Sequence, residues 1–346
     1  MASRIYYNAR LTSAHGTNAG PQGPLPVRFD DLRPTEIVRR ASDYVMSIVR
    51  FTTTLEGLPQ LVVEHPPSTD TKPTATSYSF TLSGGGVTVE APVLWMPPDS
   101  TLSQRSGDLG DPYWWEYSFI RFGALVNGAL SVAMTALRAA VPSLASAPAP
   151  FFTFDVPSAT WTLYQPMAAL NPASFSLAAN AHAEHLFAGF PTVPVNGLHR
   201  YNTFLQPNEE PVEINGKNYV TRQQTPGALA NWSPIRRFVF TSTLPVQPEM
   251  TVPATPYGGT QVLGSNSQMT IITDLTPVLA RGDELSFSTL EYMPTAEYRR
   301  VALMSDSPIN EIAFAVYWED DLGGLHPMYL YENGFVSLKL MLERVK

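Results

Sequence analysis

The chain has 346 residues, 44% hydrophobic and 15% charged, with a net charge of −8 and no cysteine. A charged fraction below the ~25% of an average soluble domain leaves much of the surface neutral, as suits a protein that buries area against partners. The missing cysteines exclude disulfides and Cys-based zinc sites, and the scattered arginines of the first 40 residues, offset by Asp30, Asp31 and Glu36, make no basic arm for nucleic acid.

Taken in order, residues 1–41 hold one expected strand, Ile5 to Leu11, and then a Gly/Pro/Asn loop. They read as an N-terminal arm with little to bury by itself. The opening residues have no apolar signal core, and no run of 18 apolar residues reads as a membrane span. An intracellular, reducing place of synthesis is expected. The sequon at Asn231 is followed by Pro234 and is a poor glycosylation site.

Residues 42–111 read as β structure: a strand from Asp43 to Phe51, a second from Pro59 to Glu64, and a hairpin. In the hairpin Tyr78, Phe80 and Leu82 alternate up to Gly84-Gly85-Gly86, and Val87, Val89, Ala91 and Val93 alternate away from it. Residues 112–231 change character. Tyr117 to Ala140 has a helical pattern stopped by Pro142. Strands are expected at Phe151–Asp155 and Thr160–Tyr164. A second helix is expected from Asn171 to Gly189, on the strength of an Asn cap, a first-turn Pro and a terminal Gly. A hairpin is expected at Ile214-Asn215-Gly216-Lys217.

Residues 232–346 return to strands at Arg236–Leu244, Met269–Leu275, Leu285–Tyr292 and Arg299–Met304. A closing meander follows. Ile312 to Trp318 has period 2, Asp320 to Gly324 turns, His326 to Leu330 returns, and Asn333-Gly334 turns again. Val336, Leu338, Leu340 and Leu342 then share one face of the last strand. Two β blocks split by a mixed segment fit one all-β fold, a jelly-roll β-sandwich formed by 42–111 and 232–346. The inserted mixed α/β segment, 112–231, carries the two helices.

No constellation of catalytic residues stands out, so the chain does not read as an enzyme. His182 and His185 flank Glu184 at a spacing that could serve a metal, but solvated side chains on a half-exposed helix are the commoner meaning. The other histidines, His15, His65, His199 and His326, are scattered. Ser83 to Gly86 lacks the Lys and the helix that cradle phosphate and reads as a turn. Glu319, Asp320 and Asp321, and the loop acids Asp99, Asp108 and Asp111, read as solvated turns rather than cation sites. Tyr113-Trp114-Trp115-Glu116-Tyr117 has no flanking basic residue before Arg121 to support base stacking, and reads as core or interface. No metal or cofactor is expected. Arg281-Gly282-Asp283 sets opposed charges at the ends of a short turn, a form integrins bind. An ordinary Gly-Asp turn is the commoner meaning of so short a match.

The order of motifs resembles virus capsid proteins, above all the penton (vertex) proteins of polinton-like viruses, virophages and adintoviruses. The resemblance is carried by Ser42 to Phe51, Thr153-Phe154-Asp155, Leu186 to Pro191, Trp232-Ser233-Pro234-Ile235 leading into Val239 to Ser242, and the closing meander. It spans most of the chain and implies a single jelly roll assembled as a pentamer at the vertices of an icosahedral shell. Other capsid proteins are implied as neighbours, with a fibre or host receptor above, no direct contact with nucleic acid, and a place in the virion. In adenovirus penton base the Arg-Gly-Asp lies in a loop of the insertion. Arg281, Gly282 and Asp283 fall in the C-terminal β block instead, which weakens their carry-over as receptor-binding residues. Two alternatives stay open. One is a double jelly-roll major capsid protein forming trimers, since the candidate strands approach the sixteen that two eight-stranded rolls need. The other is a glycan- or receptor-binding β-sandwich module.

Overall fold

The computed structural model describes residues 4–12, 25–54, 58–66, 74–98, 112–167, 175–201, 210–225, 232–246, 270–276, 289–293, 299–320, 324–330 and 334–345. The chain divides into two compact units. The first comprises 1–59, 234–278 and 287–346, and the second 60–233 with 279–286.

The first unit is the jelly-roll sandwich. One sheet has the order Arg4–Thr12, Phe335–Arg344, Tyr44–Thr54, Thr289–Tyr292, with Val301–Ala302 also on Tyr44–Thr54. The other has the order Thr270–Leu275, Arg237–Ser242, Glu311–Glu319, Leu325–Pro327, with Arg28–Leu32 also on Glu311–Glu319. All these pairs are antiparallel. Phe51 of the first sheet meets Phe240 edge-on at 4.9 Å and Phe238 at 6.1 Å, so the two sheets close on an aromatic centre.

The last strand behaves as its alternation predicts. Val336, Leu338, Leu340 and Leu342 are buried, opposite Thr53, Phe51, Ile48 and Met46. On Tyr44–Thr54 those partners change parity, from even to odd numbers. The register shifts between Lys339 and Leu340, leaving Val49 as the extra residue. This bulge lets one strand keep all four side chains inward despite the parity change.

The described strands of the expected N-terminal arm join the two sheets of the first unit. Arg4–Thr12 pairs with the last strand over nine residues, and Arg28–Leu32 pairs with Glu311–Glu319. The physical cause is that the open edges of both sheets supply the main-chain partners that these strands lack by themselves. Tyr7 donates a hydrogen bond of 2.8 Å to Asp31. Burial and that carboxylate push the Tyr7 phenol up to about 12. Arg33, and then Tyr7, hold the Asp31 carboxyl below its ordinary value.

The second unit begins earlier than the boundary expected at residue 112, because the hairpin Thr74–Gly84/Val87–Trp95 shares a core with the long helix Phe119–Ala140. That hairpin continues a sheet of order Thr192–Val195, Leu198–Tyr201, Ser176–Ala179, Thr74–Gly84, Val87–Trp95. A four-stranded sheet has the order Val212–Ile214, Lys217–Gln223, Thr160–Pro166, Phe151–Asp155. The helix buries Phe119, Phe122, Val126, Leu130, Met134 and Leu137 on one face. Its N-cap is Ser118, whose side chain accepts from the Arg121 amide at 3.2 Å. By length and mean hydropathy it could cross a membrane, although no unbroken run of 18 apolar residues marks it in the sequence. Its buried face packs into this unit as a core helix does.

Of the expected helix from Asn171 to Gly189, the described residues begin at Phe175 and divide between a strand and a short helix. Ser176–Ala179 pairs with Thr74–Gly84, and only Ala181–Leu186 is helical, capped by Asn180 through a 2.9 Å bond from Ala183. Leu177 and Ala179 alternate into the core, and the sheet partner overrides local propensity there. The hairpin at Ile214–Lys217 is present, and a second, at Val195-Asn196-Gly197-Leu198, escaped the sequence reading. Asn196 and Gly197 both adopt positive φ, at 51° and 79°, as a tight two-residue turn requires.

Gly123 lies against the Trp161 ring, where an added Cβ would come within 2.7 Å of two ring carbons. Trp161 is itself buried and stacked on Trp232 at 5.4 Å, so it has nowhere to move. Gly123→Ala is therefore expected to destabilise by ~1–3 kcal/mol, more than the ~1 kcal/mol that helix propensity returns. Gly128, with open space around it, should gain ~1 kcal/mol as Ala. Thermal unfolding of the two variants beside the parent checks this, and shifts of the same sign would refute the close packing.

Glu343 is buried and stands opposite Arg4, which donates to it at 2.8 Å, while Arg300 lies 3.0 Å from its other oxygen. These guanidinium groups, Arg4 first, hold its carboxyl below the ordinary value. A depressed acid contributes stability above its unfolded value and loses it as pH falls through the folded one. The melting temperature of Glu343→Gln should thus lie below the parent's at pH 6 and converge on it below pH ~4. A pH series of melts reads this directly.

Candidate functional site

The expected chemical groups do not gather. Arg281, Gly282 and Asp283 lie outside the described residues, as do His15, Asp99, Asp108, Asp111 and Asp321. His182 bonds Glu64 at 2.6 Å. His65 stacks on Trp114 at 3.7 Å. His326 bonds Asp320 at 2.8 Å and stacks on Trp318. Glu319 is held by Arg237, which also reaches Asp274. Among the described residues no group of three or more His, Asp or Glu side chains is placed to hold a metal. Ser83 to Val87 is the hairpin turn.

Tyr113, Trp114 and Trp115 are buried. Trp95 donates to the Tyr113 carbonyl at 2.8 Å, and Tyr113 shares a hydrogen bond with Thr74. The stretch is therefore core rather than a stacking platform. Glu116, 1% exposed, accepts from the Tyr117 and Ser118 amides at 2.9 and 3.0 Å and pairs with Arg121. Burial pushes its carboxyl up, and Arg121 with the two amides pulls it back.

The long helix of the second unit offers an uncharged face outward. Ile120 and Val132 of the long helix are 61% and 73% exposed. Ala124, Gly128, Ser131, Thr135 and Ala139 are exposed on the same helix. Its two cations turn to the protein: Arg121 to Glu116 and the Met96 carbonyl, Arg138 to the Ala147 carbonyl at 2.7 Å. At the N-terminal end an open depression of about 140 Å³ is lined by Gln60, Tyr117, Phe119, Ile120, Phe154 and Val156. Ser118 also lines it, and its hydroxyl oxygen accepts from the Arg121 amide as the helix cap. An uncharged helix face beside an apolar depression favours burial against another surface.

The sheet edges differ in what they permit. In the second unit, Val87–Trp95 carries Pro92 and Thr192–Val195 carries Pro194, each removing a main-chain donor. In the first unit the edge strand Arg4–Thr12 has no Pro along its nine residues, and its outer side pairs with no strand among the described residues. Residue spacing alone could not mark this edge, because edge position depends on the register with residues at the far end of the chain.

With this geometry in place, comparison with known proteins is direct. The family model described as Sputnik minor capsid protein V18/19 matches residues 5–344. Structural protein V19 of Sputnik virophage is 23% identical over 124 residues, 36% of this chain. The match spans 55% of that protein, so the chain covers about half of this relative's length. A chain in the cryo-EM structure of the Sputnik virophage superposes with a TM-score of 0.76 at 20% identity, covering 99% of this chain and 98% of that one. The mavirus penton protein superposes with a TM-score of 0.66 at 16% identity, covering 99% and 100%. These structural likenesses are of fold, and the fold is that of the jelly-roll penton. The chain belongs to the Sputnik minor capsid protein V18/19 family, and is a structural protein of a viral capsid.

Proposed function

We propose that the chain forms the vertices of an icosahedral virion as a ring of five, flanked by other capsid proteins. The observation that carries this reading is likeness to a penton protein along the whole of both chains. The uncharged outer face of Phe119–Ala140 and the depression beside it supply apolar area of the kind subunits bury. A specific interface of standard size buries ~1,600 Å², and closing a ring gives each subunit two such contacts. Assembly is then the mechanism, and it needs neither cofactor nor catalytic group.

Mass photometry of the purified chain, with negative-stain images, tests the ring. The expected particle is about 190 kDa, five times the 38.0 kDa chain, with fivefold outline. A stable trimer of about 114 kDa would overturn the vertex reading. Val132→Asp, which places a charge on the exposed helix face, is expected to leave the melting temperature nearly unchanged while reducing the pentamer fraction about tenfold. An unchanged pentamer fraction would exclude that face from the ring contact.

A further inference from the structure

The outward face of the first sheet carries an unanswered row of positive charge. Asn8, Lys339 and Arg50 are register partners across three adjacent strands, so Lys339 and Arg50 stand directly opposite one another. Like charges in that position destabilise a sheet. Lys339 lays its ammonium 4.9 Å from the centre of the Tyr6 ring. The Arg50 Nε is buried without an acceptor. Arg10 is exposed on the same face, two residues from Asn8. Among the described residues none of these three cations forms an ion pair. Glu343 is taken by Arg4 and Arg300. Glu291, opposite Thr52, lies diagonally from Arg50 on the neighbouring strand and forms no ion pair with it, and two strands separate it from Arg10's edge strand.

This row runs beside the Pro-free edge of Arg4–Thr12. A free edge offers main-chain donors and acceptors to an added strand, while side chains on the sheet select which strand is added. We propose that an extended acidic segment of a neighbouring polypeptide adds as a strand to the edge at Arg4–Thr12 and sets its carboxylates against Arg10 and Lys339, which relieves the opposition of Lys339 to Arg50. An added strand lies ~4.8 Å away, and its alternate residues share the outward face. A carboxylate opposite Asn8 then sits one strand spacing from Arg10's strand and two from Lys339, within reach of long side chains. Nucleic acid fits less well. Three cations on a chain of net charge −8 give weak attraction for a polyanion, and a strand edge has no use for a phosphate backbone. The proposal does not depend on the number of subunits in the assembly.

The test uses the purified full chain and a fluorescent peptide alternating Glu with Val and Thr. A matched Lys peptide and a single-stranded oligonucleotide serve as comparators. Fluorescence anisotropy is expected to show saturable binding of the acidic peptide alone, weakening as salt rises from roughly 50 to 300 mM. Arg10→Glu with Lys339→Glu should weaken it about tenfold or more. Lys339→Glu alone should raise the melting temperature of the free chain, since it turns repulsion of Arg50 into attraction, and this also shows that the variant folds. Failure of the acidic peptide to bind at about 1 mM, equal binding of the Lys peptide, or undiminished binding by the double variant would each overturn the proposal. Preference for the oligonucleotide would overturn it too and assign the face to nucleic acid.

Discussion

The strand Phe335–Arg344 is last in the chain and interior in its sheet, and the first unit depends on its register. It holds Arg4–Thr12 on one side and Tyr44–Thr54 on the other. A slip of one residue would turn Val336, Leu338, Leu340 and Leu342 out of the core together. Two features prevent that. The bulge at Val49 admits only one phase between the two long strands. At the far end, buried Glu343 meets Arg4 and Arg300, and a slip would strand its charge. The ends of the chain are thus tied across 339 residues. Loop closure over that span costs only slowly more with length, so stability tolerates it, whereas the folding rate carries the burden of non-local pairing.

The second unit is organised the other way, around local elements. The hairpin Thr74–Trp95 and the helix Phe119–Ala140 are near in sequence and share one core with Phe152, Trp161, Phe187 and Trp232. Phe187 meets Trp161 and Trp232 edge to face, as Phe122 of the helix meets Trp232, and the helix approaches closely enough to need Gly123 at the contact. Because the large aromatics are used inside, the outer helix face is left with Ile120, Val132 and small residues. Such a face recognises by shape and exclusion of water rather than by stacking or charge.

Period-2 and helical patterns were legible wherever a segment buries one face. The hairpin at Gly84–Gly86, the long helix and the last strand appear near their expected limits. The closing stretch is not one meander, because Leu325–Pro327 pairs with Glu311–Glu319 in one sheet while Phe335–Arg344 lies in the other, between Arg4–Thr12 and Tyr44–Thr54. Arg28–Leu32 was not legible, because Phe29 is its one buried residue and its pairing partner lies near the other end of the chain. The hairpin at Asn196-Gly197 carried a readable turn signal, obscured by Pro191 and Pro194 nearby. The helix expected from Asn171 to Gly189 is met only at Ala181–Leu186, because Ser176–Ala179 pairs into the sheet, and Asn171 itself lies outside the described residues. The opposition of Lys339 and Arg50 could not be read from spacing at all. They are 289 positions apart, and only the bulged register makes them neighbours.

The distribution of charge separates two kinds of surface. Elsewhere on the first unit, arginines answer nearby acids: Arg28 with Asp30, Arg33 with Asp31, Arg237 with Glu319 and Asp274, Arg344 with Asp43. Exposed pairs of this kind contribute little to stability, but they leave no net field. The row at Arg10, Lys339 and Arg50 departs from that rule beside the nine-residue, Pro-free edge of Arg4–Thr12. Stability of the free chain alone would favour replacing either member of the opposed pair. A protein whose working state is a shell is selected on the assembled form, where a carboxylate from outside can turn the repulsion into a contact. An unanswered charge beside an unblocked edge is therefore better explained by a missing neighbour than by a flaw in the sheet.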